Sequence, residues 1–181
     1  MFRILPVLAL LACAGCDKLI KTGGRPRSQE CQSNLKAWYT SERAFFQEKD
    51  RYSTSMWEIG FNPERGNRYF YVAALPGTLT DRSDAVEKSS RSDTGILPDV
   101  YKFGPKSAIS PNQVPTHLAG NVRLGLTGKC PDCEISAVCV AQMDDDPTLD
   151  IWSISTAPRT LPSGEVIAGG SPHWESDDVR H

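Results

Sequence analysis

Acidic side chains crowd one short segment that could bind a hard metal ion. Asp144, Asp145 and Asp146 stand directly before Pro147, and Asp150 follows shortly after. Proteins hold Ca²⁺ with about six to eight oxygen atoms, and oxygen ligands close in sequence suit this ion. The spacing makes Asp144, Asp146 and Asp150 candidate Ca²⁺ ligands, with backbone carbonyls completing the shell. The other interpretation is a solvated acidic turn, since Asp and Pro are ordinary turn residues.

A CxxC motif at 130–133 offers a second kind of chemistry. Such a pair can exchange disulfides, bind zinc or attach haem. Haem attachment needs a His after the second cysteine, and Glu134 stands there. Zinc needs two further ligands, and an oxidising compartment disfavours the free cysteines that could supply them. A redox-active pair starts a helix, whereas Cys130 and Cys133 precede a predicted strand. The motif therefore favours a structural disulfide that would hold the loop before this strand, to Cys139 or to Cys31 on the predicted helix.

The first residues have the layout of an export signal that ends at a cysteine. Arg3 is followed by an apolar run over 4–12, which is shorter than the roughly 20 residues that a membrane-spanning helix needs. The AGC ending at 14–16 resembles a bacterial lipobox, in which the cysteine carries acyl chains such as palmitate after cleavage. We therefore predict a lipoprotein signal peptide over 1–15 and a lipid on Cys16.

Two alternatives to lipidation at Cys16 stay open. A competing box ends at Cys13, and an ordinary signal peptide would be cleaved without any lipid. The residues after Cys16 are polar and contain two consecutive glycines, which is typical of a flexible tether. The predicted organisation is a lipid-anchored linker over 16–27 followed by one globular domain over 28–181.

The cysteines that remain after export are even in number. In an oxidising compartment they predict one or two disulfides, with three pairings open. The candidate disulfide residues are Cys31, Cys130, Cys133 and Cys139.

Composition and motifs argue against several other functions. The formal net charge is −2, and no basic stripe suggests nucleic acid. The sequence has no phosphate-binding loop, dinucleotide fingerprint or GxSxG turn, so neither an enzyme nor a small-molecule substrate is indicated. His117, His173 and His181 have no metal-ligand partners at suitable spacing.

The strongest secondary-structure signal is an uninterrupted helical pattern over 29–49, with Ser28 as a plausible N-cap. One side is apolar and should pack on a sheet. That side carries Leu35, Trp38, Tyr39, Phe45 and Phe46, and the polar side is assigned Lys36, Glu42, Arg43, Gln47 and Glu48.

Strands are predicted over 68–75, 134–143 and 149–155, and the last two should form a hairpin. The polar stretch 78–112 is expected to be a long loop, and the Gly- and Pro-rich tail from Ala157 is expected to be irregular. The predicted fold class is therefore α+β, with an N-terminal amphipathic helix packed on a small antiparallel sheet.

Segments 34–53, 60–69 and 143–154 together resemble the type IV pilin and pseudopilin family, particularly its delta-proteobacterial, myxobacterial members. The resemblance implies that the helix is the C-terminal half of a pilin spine and that the last hairpin belongs to a pilin-like head. It also implies Ca²⁺ at the acidic segment, because several pseudopilins bind calcium near their last loop.

The chain departs from that family ahead of the helix. A pilin begins with a glycine, an aromatic residue and a nearby Glu inside a long apolar helix, and here the lipobox and polar linker take that place. We therefore expect a non-enzymatic envelope lipoprotein on the inner or outer membrane, with its domain in the periplasm or at the cell surface. It would be an accessory or binding component of a type IV pilus or type II secretion-like system, with proteins of that system as partners.

Two other functions stay open. The first is a periplasmic thiol–disulfide redox protein that uses Cys130 and Cys133. The second is a lineage-specific envelope lipoprotein unrelated to pili.

Overall fold

The computed structural model describes residues 25–143 and 147–176, and side chains from residue 28 onward. The predicted signal peptide, Cys16 and the linker up to residue 24 lie outside this part of the chain. Helix α1 spans Arg25–Lys49, so the last residues assigned to the linker are helical and Ser28 is not the N-cap. Pro26 is tolerated in the first turn because the first amide groups of a helix have no intrahelical acceptor.

Helix α1 ends where Asp50 adopts a left-handed backbone conformation, with φ of 51°. The amide of Asp50 still donates to the carbonyl of Phe46 at 2.9 Å. None of the described helices is both long and apolar enough to cross a membrane.

The strands and the second helix are short, except for two central strands. They are β1 (Phe70–Val72), β2 (Thr78–Thr80), β3 (Asp93–Ile96), α2 (Val100–Phe103), β4 (His117–Leu118), β5 (Val122–Arg123), β6 (Gly125–Thr127), β7 (Glu134–Ala141), β8 (Asp150–Ser155), β9 (Arg159–Thr160), β10 (Val166–Ile167) and β11 (His173–Ser176).

The main sheet has the strand order β11–β8–β7–β1–β3–β2, and β6 pairs with the first part of β7. Strands β7 and β8 form the predicted antiparallel hairpin, with Cys139 opposite Trp152. Strand β1 pairs with β7 on one side and β3 on the other, antiparallel to both. Only the β2–β3 pair among the described strand pairs is parallel. The α+β class is confirmed.

The two faces of the sheet are covered by different parts of the chain. On one face α1 buries Cys31, Leu35 and Trp38 against alternate residues of β1, β7 and β8. On the other face, Ile109, Val114 and Leu118 come from the segment between α2 and β5. Both faces of β7 are therefore buried, which explains its nearly continuous apolar sequence.

Two predicted irregular regions contain regular structure. The expected loop 78–112 includes β2, β3 and α2, and β3 joins the main sheet. The expected irregular tail includes β9, β10 and β11, and β11 forms the edge of the sheet beside β8. These strands are too short and too polar to give a period-2 pattern, so they depend on pairing with distant residues.

Candidate functional site

A disulfide fastens α1 to the centre of the sheet. Cys31 bonds to Cys139, their Cα atoms lie 6.1 Å apart, and both residues are fully buried. Cys31 lies in the second turn of α1, and Cys139 lies in β7, the most central long strand. The bond therefore fixes the position of the helix along the strand direction.

The CxxC cysteines form the second disulfide, between Cys130 and Cys133, with Cα atoms 4.5 Å apart. Cys133 is buried, and β7 begins at the next residue, as the sequence predicted. Two disulfides are thus present, within the predicted number, but the CxxC cysteines bond to each other rather than to Cys139 or Cys31. All four cysteines in the described part of the chain are paired. A position at the start of a helix activates redox cysteines by lowering the pKa of the thiol. Cys130 and Cys133 do not occupy such a position.

The acidic segment is only partly described. Asp144 and Asp146 lie outside the described residues, and Asp150 is the first residue of β8, where it is 2 % exposed. The carboxylate of Asp150 accepts hydrogen bonds from the Tyr69 hydroxyl and, at 3.1 Å, from Trp152 Nε1. Within the described residues no group of three or more metal-ligating side chains comes together. The Ca²⁺ ligand set therefore stays a prediction.

A buried arginine that the sequence did not reveal, Arg82, holds together the segment 73–92 between β1 and β3, called the excursion below. The side chain of Arg82 is 1 % exposed and forms an ion pair with Glu87 at 3.0 Å. It also donates to both Asn62 Oδ1 and Asn67 Oδ1 at 2.6 Å and to the carbonyls of Pro63 and Glu64. A charge can be buried when every donor finds an acceptor in this way.

An ion pair between Arg65 and Asp99, also not evident from the sequence, stabilises the turn before β1. Arg65 Nε and Nη2 contact the two oxygens of Asp99 at 2.7 and 2.9 Å, a bidentate arrangement. Asp99 also accepts from the amides of Gly66 and Lys102. The Arg65 guanidinium lowers the pKa of Asp99 to about 2, and the two amide hydrogen bonds act in the same direction. Neither contact is evident from the sequence, since the partners are far apart along the chain.

Glu42 lies on the apolar side of α1, contrary to its assignment to the polar side. It is fully buried, and its Oε2 accepts from the Ser53 amide at 3.3 Å. Burial raises the pKa of Glu42 to about 8, and the hydrogen bond from Ser53 opposes this only in part. Its Oε1 and the indole Nε1 of Trp38 are buried without hydrogen-bond partners among the described residues. Glu42 is four residues from Trp38 and seven from Leu35, so helical spacing could have placed it correctly.

A long N-terminal helix packed on one face of a mainly antiparallel sheet is an α+β arrangement consistent with a pilin-like head domain. The family model for the type IV pilin PilA matches residues 23–150. The chain therefore belongs to the type IV pilin family. It is 35% identical over 193 aligned positions to the type IV major pilin protein PilA of Myxococcus xanthus (strain DK1622), an alignment covering 97% of this chain and 88% of that protein.

The myxobacterial pilin resemblance is thus confirmed. Type IV pilins are a structural rather than an enzymatic family. Membership makes this chain a pilus-related component of the cell envelope.

Proposed function

We propose that this protein is a lipid-anchored accessory of a type IV pilus or type II secretion-like machine, with a non-enzymatic pilin-like head that binds other envelope proteins. One observation carries the proposal. The segment ahead of α1 has a short apolar run over 4–12, a lipobox-like sequence that ends at Cys16 and then polar residues, where a pilin would continue as a long apolar helix. A lipid on Cys16 would hold the head at a membrane surface.

The anchor is tested by the intact mass of the protein purified from its native membrane. We expect a chain that starts at Cys16 and carries diacylglyceryl and acyl groups. Cys16→Ser should remove the lipid and release the protein from the membrane fraction, and Cys13→Ser should change neither. If only Cys13→Ser released the protein, the lipid would be on Cys13 of the competing box. A native mass without lipid would contradict the prediction of a lipoprotein.

The accessory role is tested by deleting the gene from its native host. We expect reduced pilus assembly, twitching motility or secretion, restored by the wild-type chain and not by the Cys16→Ser variant. Unchanged pili, motility and secretion would instead favour a lineage-specific envelope lipoprotein.

A second candidate function is direct incorporation into a filament. The observation in its favour is that the alignment with a major pilin extends over 97% of this chain. Sheared and purified pili distinguish the two. An accessory should stay with the membranes, whereas a subunit should be found in the filaments in proportion to their mass.

A further inference from the structure

A small cavity opens between the turn that follows α1 and the parallel β2–β3 pair. Its volume is about 70 Å³, and its walls include Met56, Phe61 and Ile96. These three side chains are each no more than 5 % exposed, so the inner wall of the cavity is buried and apolar. A single water needs only about 10–15 Å³, so the cavity can take several linked heavy atoms.

A buried carboxylate lines the same cavity. Asp93 is the first residue of β3 and is 2 % exposed. Its Oδ2 accepts from the Thr80 hydroxyl at 2.8 Å and from the Ser90 amide at 2.7 Å. Its Oδ1 accepts no hydrogen bond from the described residues, and no described cation forms an ion pair with it. A cation at this position would gain an ion pair with Asp93 that no described residue supplies.

The rim of the cavity adds a second carboxylate and an aromatic ring. Glu87 uses Oε2 for Arg82, which leaves Oε1 without a hydrogen bond from the described residues. Trp57 also lines the cavity and is 55 % exposed, unusual for a tryptophan in a folded domain. The guanidinium of Arg91 lies 4.3 Å from the Trp57 ring centroid, which shows that this ring already attracts a cation.

We propose that this cavity binds a primary ammonium group at the end of an aliphatic stem, which is the chemistry of a lysine side chain. The methylenes would pack on Met56 and Phe61, and the ammonium would donate to the oxygens of Asp93 and Glu87. A metal ion fits poorly because, among the described residues, no group of three or more His, Cys, Asp or Glu side chains comes together to hold one. A guanidinium is wider and flat, and it prefers both oxygens of one carboxylate, whereas here the open oxygens belong to two residues.

The same chemistry has two sources, an amino-acid lysine in solution and a lysine residue of a partner protein. The inference goes beyond the proposed function, since it does not depend on the lipid or on the pilus. If the partner is a protein, the cavity is the point on the head that receives its lysine.

The experiment is titration of the ¹⁵N-labelled full chain, followed through the indole signal of Trp57. The probe is Nα-acetyl-lysine amide, its uncharged control is Nα-acetyl-norleucine amide, and amino-acid lysine is titrated in parallel. We expect a saturable shift with the lysine probe and at least about tenfold weaker binding of norleucine. Tighter binding of the blocked probe than of amino-acid lysine indicates a protein partner, and the reverse order indicates the amino acid.

The matched variants are Asp93→Asn and Asp81→Asn. Asparagine at 93 can keep the hydrogen bonds from Thr80 and Ser90 while it removes the charge, so we expect at least about tenfold weaker binding of lysine. Asp81 is bonded to Ser83 and does not line the cavity, so its variant should bind as the wild type does. Equal binding of norleucine, the same shift from CaCl₂ alone, or unchanged binding by Asp93→Asn would each overturn the proposal. The norleucine comparison needs no variant, so poor folding of Asp93→Asn would not prevent the test.

Discussion

Glu42 shows how a single buried carboxyl can make the stability of the head depend on pH. Its pKa is raised to about 8 because burial disfavours the charged form. In the unfolded chain its pKa should be near the ordinary value of 4.5. The folded state therefore binds more protons between these values, and the contribution of Glu42 to stability is lost as the pH rises through about 8.

We expect Glu42→Gln to change the slope of stability against pH rather than stability at every pH. Between pH 5 and 8 the wild type should lose up to about 1.4 kcal/mol per pH unit through this group, and the variant should lose none of it. The two proteins should have similar stability at pH 5, where folded Glu42 is neutral, and the variant should be more stable above pH 8. Urea unfolding at several pH values measures this. Parallel profiles for the two proteins would show that Glu42 is ionised when folded, and exposed Glu48→Gln is the control.

Arg82 has the opposite character, since it is a buried charge with several acceptors around it. We expect Arg82→Met to destabilise the head by about 3–5 kcal/mol, because it leaves Glu87 and the acceptors at 62–67 unpaired. Arg91→Met is the matched control, because Arg91 is exposed and stacks on Trp57. It should cost no more than about 1 kcal/mol. Equal costs in chemical unfolding would mean that the excursion does not depend on the Arg82 network.

At the scale of elements, the two disulfides should differ in what they contribute. The Cys31–Cys139 bond joins residues 108 apart, and the Cys130–Cys133 bond joins residues 3 apart. The loop-entropy model gives roughly 5 kcal/mol for a loop of the first length and between 1 and 2 kcal/mol for one of the second.

We therefore expect the Cys31→Ala/Cys139→Ala variant to lose more stability than Cys130→Ala/Cys133→Ala. Guanidinium unfolding of both variants under oxidising conditions provides the comparison. A larger loss from the CxxC pair would contradict the entropic account. It would indicate that the loop before β7 is essential for the native packing of that strand.

The β7–β8 hairpin carries the proposed Ca²⁺ site at its connection. Asp150 already accepts hydrogen bonds from Tyr69 and Trp152, so only part of its carboxylate can turn to a metal. We expect Ca²⁺ to raise the melting temperature by a few degrees, and excess chelator to reverse the effect. Asp144→Asn/Asp146→Asn should abolish the shift, and Asp132→Asn, at the other end of β7, should keep it. A melting temperature that does not respond to Ca²⁺ would leave the acidic segment as a solvated turn.

For the whole molecule, the sequence predicted the elements whose burial follows their own period. Helix α1 and the β7–β8 hairpin were predicted because their apolar residues recur at helical or strand spacing. Strands β2 and β3 were missed because they are short and depend on side chains such as Arg82, whose partners are distant in sequence. The cysteine pairing could not be chosen from parity. Glu42 is different, since its spacing on α1 places it with Leu35 and Trp38 on the buried side, although its charge suggests the polar side.

The acid side of the stability profile should depend on the ion pair between Arg65 and Asp99. The pKa of Asp99 is lowered to about 2 from its ordinary value of 3.8, so its contribution to stability is complete above pH 3.8 and lost as the pH falls through 2. Glu42 acts in the opposite direction above pH 4.5. The combined contribution of Asp99 and Glu42 to stability is therefore greatest near pH 4. This is more acidic than the range of about pH 5 to 8 in which most proteins are most stable.

We expect Arg65→Gln to move the midpoint of acid unfolding to higher pH by about one unit, because Asp99 then loses the cation that lowers its pKa. Circular dichroism during acid titration measures the midpoint. Lys129→Gln removes an exposed positive charge elsewhere on the surface and should leave the midpoint where it is. If both variants shift it equally, net charge rather than the Arg65–Asp99 pair sets the acid limit of the fold. If neither does, the two amide hydrogen bonds to Asp99 are sufficient to keep it ionised.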